Sequence, residues 1–517
     1  MMAIKFLRVR RCGTVLECSE CSTSTKNATM NTPSCKTSPV IPIVPSADKS
    51  PLAPPPGADA KTMALYAAHQ KIYPRSTEGF FTRWRWVLVF LTQLAFYGLP
   101  WLEWGQRQMV LFDLAARRFY IFKLVLYPQD FIYLTGILVI SALSLFLFTA
   151  VAGRLWCGYA CPQTVYTEIF LWLEKLTEGD RSARLRLDAA PWTMEKIGRK
   201  AAKNFLWLAV ALWTGLTFVG YFSPIRELGG DFIQRHLSGW QAFWIFFYGF
   251  ATYGAAGYMR EQVCKHMCPY ARFQSAMFDK DTLVVTYDAE RGEPRGTRAK
   301  KADLALLNLG ACISCNLCVQ VCPTGIDIRN GLQYECIGCG ACADACDAVM
   351  DKVGYARGLV KYSTENALKH KWTRAQTWRH VLRPRVLIYS AILISIVVAM
   401  AVSLALRVPL KVDVVRDRGA LARMAPGGQI ENVYRLQIMN ATESGQRFRI
   451  RVEGLPGVAV VSDSEVTIDS TQSRWVPVRV QVPYTAAVAG SHTIHFEISN
   501  QDNSDKVVEK SVFLVPR

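Results

Sequence analysis

Two runs of cysteine share one spacing in the second half of the chain. The first run is Cys-x2-Cys-x2-Cys-x3-Cys-Pro, and the second repeats these cysteine intervals without the proline. The eight residues are Cys312, Cys315, Cys318, Cys322, Cys336, Cys339, Cys342 and Cys346. In bacterial two-cluster ferredoxins, three closely spaced thiolates of one run and a distant thiolate of the other run hold each [4Fe–4S] cluster. The spacing therefore predicts two clusters that carry single electrons.

Because the fourth ligand of each cluster comes from the other run, the eight cysteines divide into two sets. The first cluster is predicted to use Cys312, Cys315, Cys318 and Cys346, and the second cluster Cys336, Cys339, Cys342 and Cys322. Two zinc knuckles are the alternative, but zinc sites usually close with two Cys-x2-Cys pairs rather than with three evenly spaced cysteines. Asp347 stands where proline follows the first run, which removes no ligand.

Four further cysteines form a duplicated Cys-x3-Cys-Pro motif. They are Cys157 and Cys161 before Pro162, and Cys264 and Cys268 before Pro269. Helix positions i and i+4 share a face, so each pair can point two sulfurs to one side. Soft sulfur ligands favour Cu(I), zinc or an iron–sulfur centre, and Arg154 and Arg260 are expected to lower the thiol pKa values. We interpret the quartet as a copper or redox site; four small buried apolar side chains are the alternative.

Other polar residues carry weaker signals. Glu168 and Glu174 lie on the helical stretch after Pro162 and are interpreted as interfacial charges. Asp327, near the clusters, is expected to cap a turn. No phosphate-binding loop, nucleotide fingerprint or Ser/His/Asp set stands out.

Long apolar blocks point to a membrane. Of 517 residues, 51% are hydrophobic and only 20% are charged, and a helix needs ~20 apolar residues to cross a bilayer. Five blocks reach about that length, with Trp and Tyr near their ends. They are Trp84–Trp104, Phe131–Ala152, Phe205–Phe222, Trp240–Met259 and Val386–Leu406. We therefore predict an integral membrane α-helical protein with about five transmembrane helices.

The basic charge is distributed unevenly. The net charge is +19, with nine Lys/Arg in residues 153–204 and nineteen in 260–385, but four in 105–130 and two in 223–238. This asymmetry follows the positive-inside rule and places the cluster segment in the cytoplasm and the C-terminus in the periplasm of a bacterial inner membrane. Basic residues so placed indicate contacts with anionic lipid rather than with nucleic acid. All cysteines precede residue 347, which suits a reducing cytoplasm.

Composition divides the chain into five parts. Residues 1–82 are predicted to be a largely disordered cytoplasmic tail, in which the start codon and the role of Cys12, Cys18, Cys21 and Cys35 stay open. A four-helix membrane domain is expected at 83–259. The cytoplasmic segment 260–385 would contain an inserted two-cluster ferredoxin-like domain at about 303–355, and 386–406 would form the fifth transmembrane helix. Alternating runs in 411–517 predict a C-terminal all-β immunoglobulin-like sandwich.

With these motifs assembled, about residues 70–517 resemble the FixG/CcoG/RdxA family of cytochrome c oxidase accessory proteins. The resemblance is carried by Trp156–Thr164, Met267–Gln274 and Cys322–Gln333, together with both ferredoxin runs and the β-rich end. It implies a role in maturing the cbb-type haem–copper oxidase with its assembly components. The activity that it implies is reduction of Cu(II) to Cu(I), the form that thiolates and thioethers stabilise.

Three hypotheses follow for the function. The first is a membrane-bound cupric reductase, in which the eight cluster cysteines relay electrons and Cys157, Cys161, Cys264 and Cys268 receive copper. The second is a non-enzymatic assembly factor whose sandwich docks oxidase subunits. The third is a membrane ferredoxin that oxidises quinol. The sequence names neither the electron donor nor the oligomeric state.

Overall fold

The computed structural model describes residues 71–105, 107–298, 307–417, 419, 422–486 and 488–516. The cysteines of the predicted tail lie outside this part of the chain. The helices are α1 (Phe80–Gly98), α2 (Phe131–Ala152), α3 (Leu155–Tyr159), α4 (Pro162–Glu178), α5 (Arg181–Ala189), α6 (Met194–Val219), α7 (Ile225–Gln234), α8 (Gly239–Thr252), α9 (Pro269–Met277), α10 (Ala289–Gly292), α11 (Leu317–Gln320), α12 (Ala341–Val353), α13 (Glu365–Lys369), α14 (Arg374–Val381) and α15 (Pro384–Ala405). The strands are β1 (Glu103–Trp104), β2 (Arg107–Gln108), β3 (Val110–Asp113), β4 (Arg118–Ile121), β5 (Leu124–Leu126), β6 (Val284–Tyr287), β7 (Val360–Ser363), β8 (Leu410–Arg416), β9 (Arg423–Ala425), β10 (Gln429–Asn440), β11 (Gln446–Glu453), β12 (Ala459–Val460), β13 (Glu465–Ile468), β14 (Ser473–Pro483), β15 (Gly490–Asn500) and β16 (Lys506–Val515).

Three helices of the described residues are long and apolar enough to cross a membrane. They span Pro128–Ala152, Met194–Val219 and Pro384–Ala405. The protein buries none of the apolar window in the first and only 6% in the third, so lipid is the environment that can cover them. These helices correspond to the second, third and fifth predicted spans.

The first and fourth predicted spans coincide with α1 and α8. The helix α1 carries Arg83 and Arg85 near its start, which lowers its mean hydropathy, and α8 continues as a π-helix over Tyr253–Met259. Both expose large apolar side chains, such as Leu94 and Trp240, each 74% exposed. A total of five membrane helices stays a prediction.

The C-terminal region is the predicted sandwich. One sheet has the order β12-β14-β10-β8 with β9 beside β10, and the other has the order β13-β11-β15-β16. Every pairing is antiparallel, and alternate side chains such as Tyr434, Val478 and Phe496 meet in a fully buried core. The alternating runs of the sequence produce this arrangement because successive side chains of a strand point to opposite faces. The immunoglobulin-like fold is therefore confirmed.

The loop between α1 and α2 folds into a small sheet. The antiparallel strands β3, β4 and β5 bury Tyr120 and Val125 against Met439 of the sandwich. The hydroxyl of Tyr127 donates to the carbonyl of Asn440 at 3.1 Å. This loop and the sandwich thus lie at the same ends of the helices.

Residues 71–82 are not part of a disordered tail. The backbone N–H of Arg75 donates to the carbonyl of Gln320 at 2.8 Å. Asp344, on the cluster-bearing helix α12, accepts the backbone N–H groups of Phe81 and Thr82 at 3.1 and 2.7 Å. A carboxylate at these first N–H groups stabilises the start of a helix. The prediction failed here because the partners lie between 104 and 263 residues away in sequence, where local composition gives no signal.

Candidate iron–sulfur and thiol centres

The second predicted ligand set surrounds one cavity. Cys322, Cys336, Cys339 and Cys342 line a space of about 340 Å³ whose other walls are largely apolar. Cys336 and Cys339 lie on the loop that leads into α12, Cys342 lies in the first turn of α12, and Cys322 follows α11. Cys318 also reaches this wall. The crossing of Cys322 to the second run is therefore the arrangement that a two-cluster ferredoxin requires.

The first predicted set surrounds a neighbouring cavity. Cys312, Cys315, Cys318 and Cys346 line a space of about 370 Å³ together with Arg329. Arg329 is paired with Asp327 at 2.6 Å, and Asp327 caps the short turn as expected. Cys315 is exposed, whereas Cys312 is buried. Because Cys318 lines both cavities, it lies between them.

The chemistry of these cavities fits cubane clusters. Burial raises the pKa of Cys318 to about 11 and the pKa of Cys336 and Cys346 to about 12. Such thiols ionise when iron displaces their protons, so cluster binding and folding are coupled. Among the described residues, no group of three or more His, Cys, Asp or Glu is arranged to hold a single metal ion. Each cavity is lined by cysteines of both runs, which is the crossed arrangement of two cubane clusters rather than that of zinc knuckles closed by two Cys-x2-Cys pairs.

The duplicated motif brings its four cysteines together. Cys157 and Cys161 flank the end of α3, and Cys264 and Cys268 flank a π-helical turn over Val263–Met267. Burial, and next the charge of Cys161, raise the pKa of Cys157 to about 12 and that of Cys264 to about 11. Burial also raises the pKa of Cys161. Two backbone hydrogen bonds oppose this rise, and the charge of Cys268 adds to it. The charges of the two pairs thus act on one another, and whether the four thiols hold one common ion stays a prediction.

Buried amides hold this quartet in place. The thiol of Cys157 donates to Oε1 of Gln274 at 3.3 Å. The side-chain amide of Gln163 donates to the carbonyls of Ala255 and Arg260 at 2.9 and 3.1 Å. These bonds join α9 to α3 and α4 to the π-helical segment, so each motif is fixed against the other.

The two motif arginines do not activate the thiols as expected. Arg154 acts on Cys157 in the expected direction, but burial outweighs it and the thiol pKa rises. The guanidinium of Arg154 donates to the carbonyl of Ala271. Arg260 is bound to Glu174 at 3.0 Å. The prediction of lowered pKa values was wrong because the charges are used to tie helices together inside a low-dielectric interior.

Glu168 and Glu174 are not interfacial charges. Glu174 is fully buried and pairs with Arg184 and Arg260 at 2.8 and 3.0 Å. Burial alone would raise the pKa of its carboxyl, but Arg260 and Arg184 hold that pKa below its ordinary value. Glu168 pairs with the buried Arg85 of α1. The sequence analysis did not predict these ion pairs. The signal that could have found them is a carboxylate or an arginine in an apolar stretch, because a charge in such a stretch indicates a buried partner.

The second cavity adjoins the thiol quartet through a backbone contact. A Cβ added to Gly158 would lie 2.8 Å from the carbonyl oxygens of both Ile337 and Gly338. Cys157 packs in one apolar cluster with Ile337 and Cys339. The loop that holds the second ligand set therefore rests directly on the helix that carries Cys157. Electron transfer between that ligand set and the Cys157 thiol would need a short path of this kind.

We expect Gly158→Ala to disturb this contact. The methyl group must displace the Ile337–Cys339 loop, and overpacking of this kind costs about 1–3 kcal/mol. Electron paramagnetic resonance of the reduced protein should show a changed second centre and an unchanged first centre. Gly198→Ala on α6 is the control, because nothing lies within 4 Å of its added Cβ. Equal spectra for the two variants would contradict the proposed contact.

Comparisons with known proteins agree with this arrangement. Residues 259–365 match the model of a 4Fe-4S dicluster domain, and residues 134–178 match that of a 4Fe-4S binding domain. Residues 400–516 match a model described as the IG-like fold at the C-terminal of FixG. The second of these matches includes Cys157 and Cys161. The fold and the site define a membrane-associated iron–sulfur electron-transfer protein.

Curated relatives establish the family. The chain is 38% identical over 457 residues to the nitrogen fixation protein FixG of Rhizobium meliloti, covering 81% of this chain and 87% of that protein. It is 38% identical to the protein RdxA of Cereibacter sphaeroides, covering 78% and 87% of the two chains, and 39% identical to RdxB of the same organism, covering 76% and 84%. The chain belongs to the FixG/RdxA family.

Proposed function

We propose that this protein reduces Cu(II) to Cu(I) at the inner membrane, for delivery of copper during assembly of a cbb-type cytochrome c oxidase. The observation that carries the proposal is the packing of Cys157, one of the four motif thiols, against the loop that holds the second ligand set. A one-electron relay that ends at four sulfur atoms can reduce Cu(II) and stabilise the Cu(I) formed, because soft ligands prefer Cu(I).

The eight cluster cysteines and the four motif cysteines would have different roles. The two cysteine sets would hold two [4Fe–4S] clusters, which supply electrons one at a time. Cys157, Cys161, Cys264 and Cys268 would take up the copper ion, with Met267 as an exposed thioether beside them.

The proposed orientation places the clusters in the cytoplasm and the sandwich in the periplasm. The basic residues of 153–204 and 260–385 support it under the positive-inside rule. The contact between the β3–β5 sheet and Met439 supports it as well, because both regions were assigned to the outer side. Five membrane helices, with α1 and α8 included, are the topology that this orientation requires.

A single-turnover experiment tests the copper role. Anaerobically purified protein is reduced with dithionite, freed of reductant and mixed with Cu(II) and a chelator that is coloured only with Cu(I). We expect the cluster absorption to return as Cu(I) appears. The Cys161→Ser/Cys268→Ser variant should keep its cluster iron but form Cu(I) about tenfold more slowly or worse, the usual cost of altering a metal site.

Trp156→Phe serves as the control variant for this experiment. Trp156→Phe changes an exposed neighbour of Cys157 and should behave like the wild type. A double-serine variant that forms Cu(I) at the wild-type rate would remove the quartet from the mechanism. Reduced wild-type protein that forms no Cu(I) would overturn the proposed function. Metal analysis of the same samples decides whether the quartet carries iron, since about eight iron ions are expected from two clusters alone.

A further inference from the structure

A large groove runs between α1, α4 and α6 and ends at the second cluster cavity. It encloses about 2730 Å³, counting its open side. Its inner end is formed by Val321, Pro323 and Ala341. Val321 and Pro323 flank Cys322, and Ala341 precedes Cys342. A molecule in this groove would therefore lie against the shell of the second ligand set.

The groove changes in polarity along its length. One end is lined by charged residues: Arg75, Glu78, Lys175, Asp180 and Arg184. The other end is lined mainly by apolar and aromatic residues: Val89, Phe90, Tyr97, Val210 and Trp213. Since α1 rises 1.5 Å per residue, the wall from Thr82 to Tyr97 extends for roughly 20 Å. The groove thus matches a long ligand with a polar head and an apolar tail.

A buried ion pair lies in the wall between these ends. Arg85 and Glu168 both line the groove, and their side chains are only 7% and 19% exposed. Burying a charge pair is costly. The pair lies in the groove and near the second ligand set. There Arg85 can donate and Glu168 can accept a hydrogen bond from the polar head of a ligand.

We propose that this groove binds a membrane quinol, with its ring at Arg85 and Glu168 and its isoprenoid tail along the α1–α6 wall. The inference rests on the proposed function, for which the quinol would be the electron donor. A phospholipid has a similar length, but it needs neither a buried carboxylate beside its head nor an electron acceptor next to it. A quinol uses both.

The reaction balances with the groups present. Oxidation of one quinol breaks two O–H bonds, forms two carbonyls and releases two protons and two electrons. Glu168 accepts the protons in turn and passes them to water at the charged end of the groove. The electrons leave singly toward the ligand set that includes Cys322 and Cys339. The two cysteine sets would hold two [4Fe–4S] clusters, each able to take up one electron when bound, so one quinol would supply both.

The test follows cluster reduction in the purified, cluster-loaded protein. Decylubiquinol and menadiol, two quinols of different potential, are added anaerobically without copper, and cluster bleaching is recorded. Binding of decylubiquinone is measured in parallel by equilibrium dialysis. We expect wild-type protein to bleach with at least one quinol. Glu168→Gln should bleach about tenfold to a hundredfold less well, the usual effect of losing a charged hydrogen-bond partner, while dithionite still reduces its clusters fully and decylubiquinone, which has no O–H to donate to Glu168, still binds.

A second variant guards against misfolding of the first. Ala209→Trp places a large side chain in the groove from an exposed position of α6 and should abolish quinone binding. Ala391→Trp makes the same change on the exposed surface of α15 and should have no effect. The proposal is overturned if neither quinol reduces the wild type, or if the groove variants match it, as a groove filled only by phospholipid would predict. The proposed copper reduction would then still be tested separately, because that experiment uses protein reduced by dithionite rather than by quinol.

Discussion

Replacement of Cys339 by serine should remove the second cluster and leave the first. Cys339 is 7% exposed and lies in the apolar cluster that joins its loop to Cys157. Serine is a poor ligand for iron, so we expect about four of about eight iron ions to be lost. Because metal binding and folding are coupled, the contact with α3 should also loosen. Iron and acid-labile sulfide analysis, with electron paramagnetic resonance of the reduced protein, measures both effects.

Cys315→Ser is the matched variant for the other set. Cys315 is exposed at the first cavity, so its replacement should remove a similar amount of iron without disturbing the Cys157 contact. The reduced spectrum should then be that of the second cluster alone. If the two variants lost the same cluster, or if either kept its full iron, the assignment of the two ligand sets would be wrong.

Replacement of Glu174 by glutamine should cost far more stability than an ordinary carboxylate substitution. The change leaves the buried guanidinium groups of Arg184 and Arg260 without their charge partner. Breaking a buried pair in this way costs about 3–5 kcal/mol. Because Arg260 precedes the second thiol pair, Cys264 and Cys268 should also move. Thermal unfolding in detergent, followed by tryptophan fluorescence, measures the loss.

Glu195→Gln provides the control for this prediction. Glu195 pairs with Arg199 across one helical turn at 2.7 Å, but the two side chains are 71% and 45% exposed. An exposed pair contributes about 0–1 kcal/mol, so the unfolding midpoint should barely change. Equal shifts for the two variants would show that Glu174 does not support the fold as its burial indicates.

The pH dependence of the Glu174 effect has a definite sign. The folded-state pKa of this carboxyl lies below its ordinary value of 4.5 because Arg260 and Arg184 outweigh burial. Its contribution to stability is therefore complete above the unfolded-state pKa and is lost as the pH falls through the folded-state pKa. The difference between wild type and Glu174→Gln should shrink in acid and stay constant near neutrality. A gap that widens toward low pH would contradict this account.

Much of the site could be predicted because its signals are local. The intervals between Cys312 and Cys346 specify both cluster loops, since three ligands of each cluster come from one short segment. The alternating residues of 411–517 likewise specify sheets with one buried face. The helices α2 and α15 were predicted to within a few residues because both are continuously apolar.

The failures concern residues whose partners are distant in sequence. Asp344 was not singled out from the sequence, yet it caps α1. Glu168 and Glu174 were interpreted as interfacial charges, yet each pairs with an arginine of another helix. Arg154 and Arg260 were expected to ionise thiols, but burial dominates at those positions. A charge in an apolar stretch indicates that a partner exists but does not say which one.

By itself, the sequence determined that this protein carries two cluster-binding cysteine sets, a duplicated thiol motif, membrane helices and a β-sandwich, because each is encoded by spacing or periodicity within a short segment. Only the tertiary structure decided that the second set rests on Gly158 beside Cys157, and that a groove with Arg85 and Glu168 leads to it. The physical reason is that burial and contact depend on how separate segments pack, and packing brings together residues that no local pattern relates.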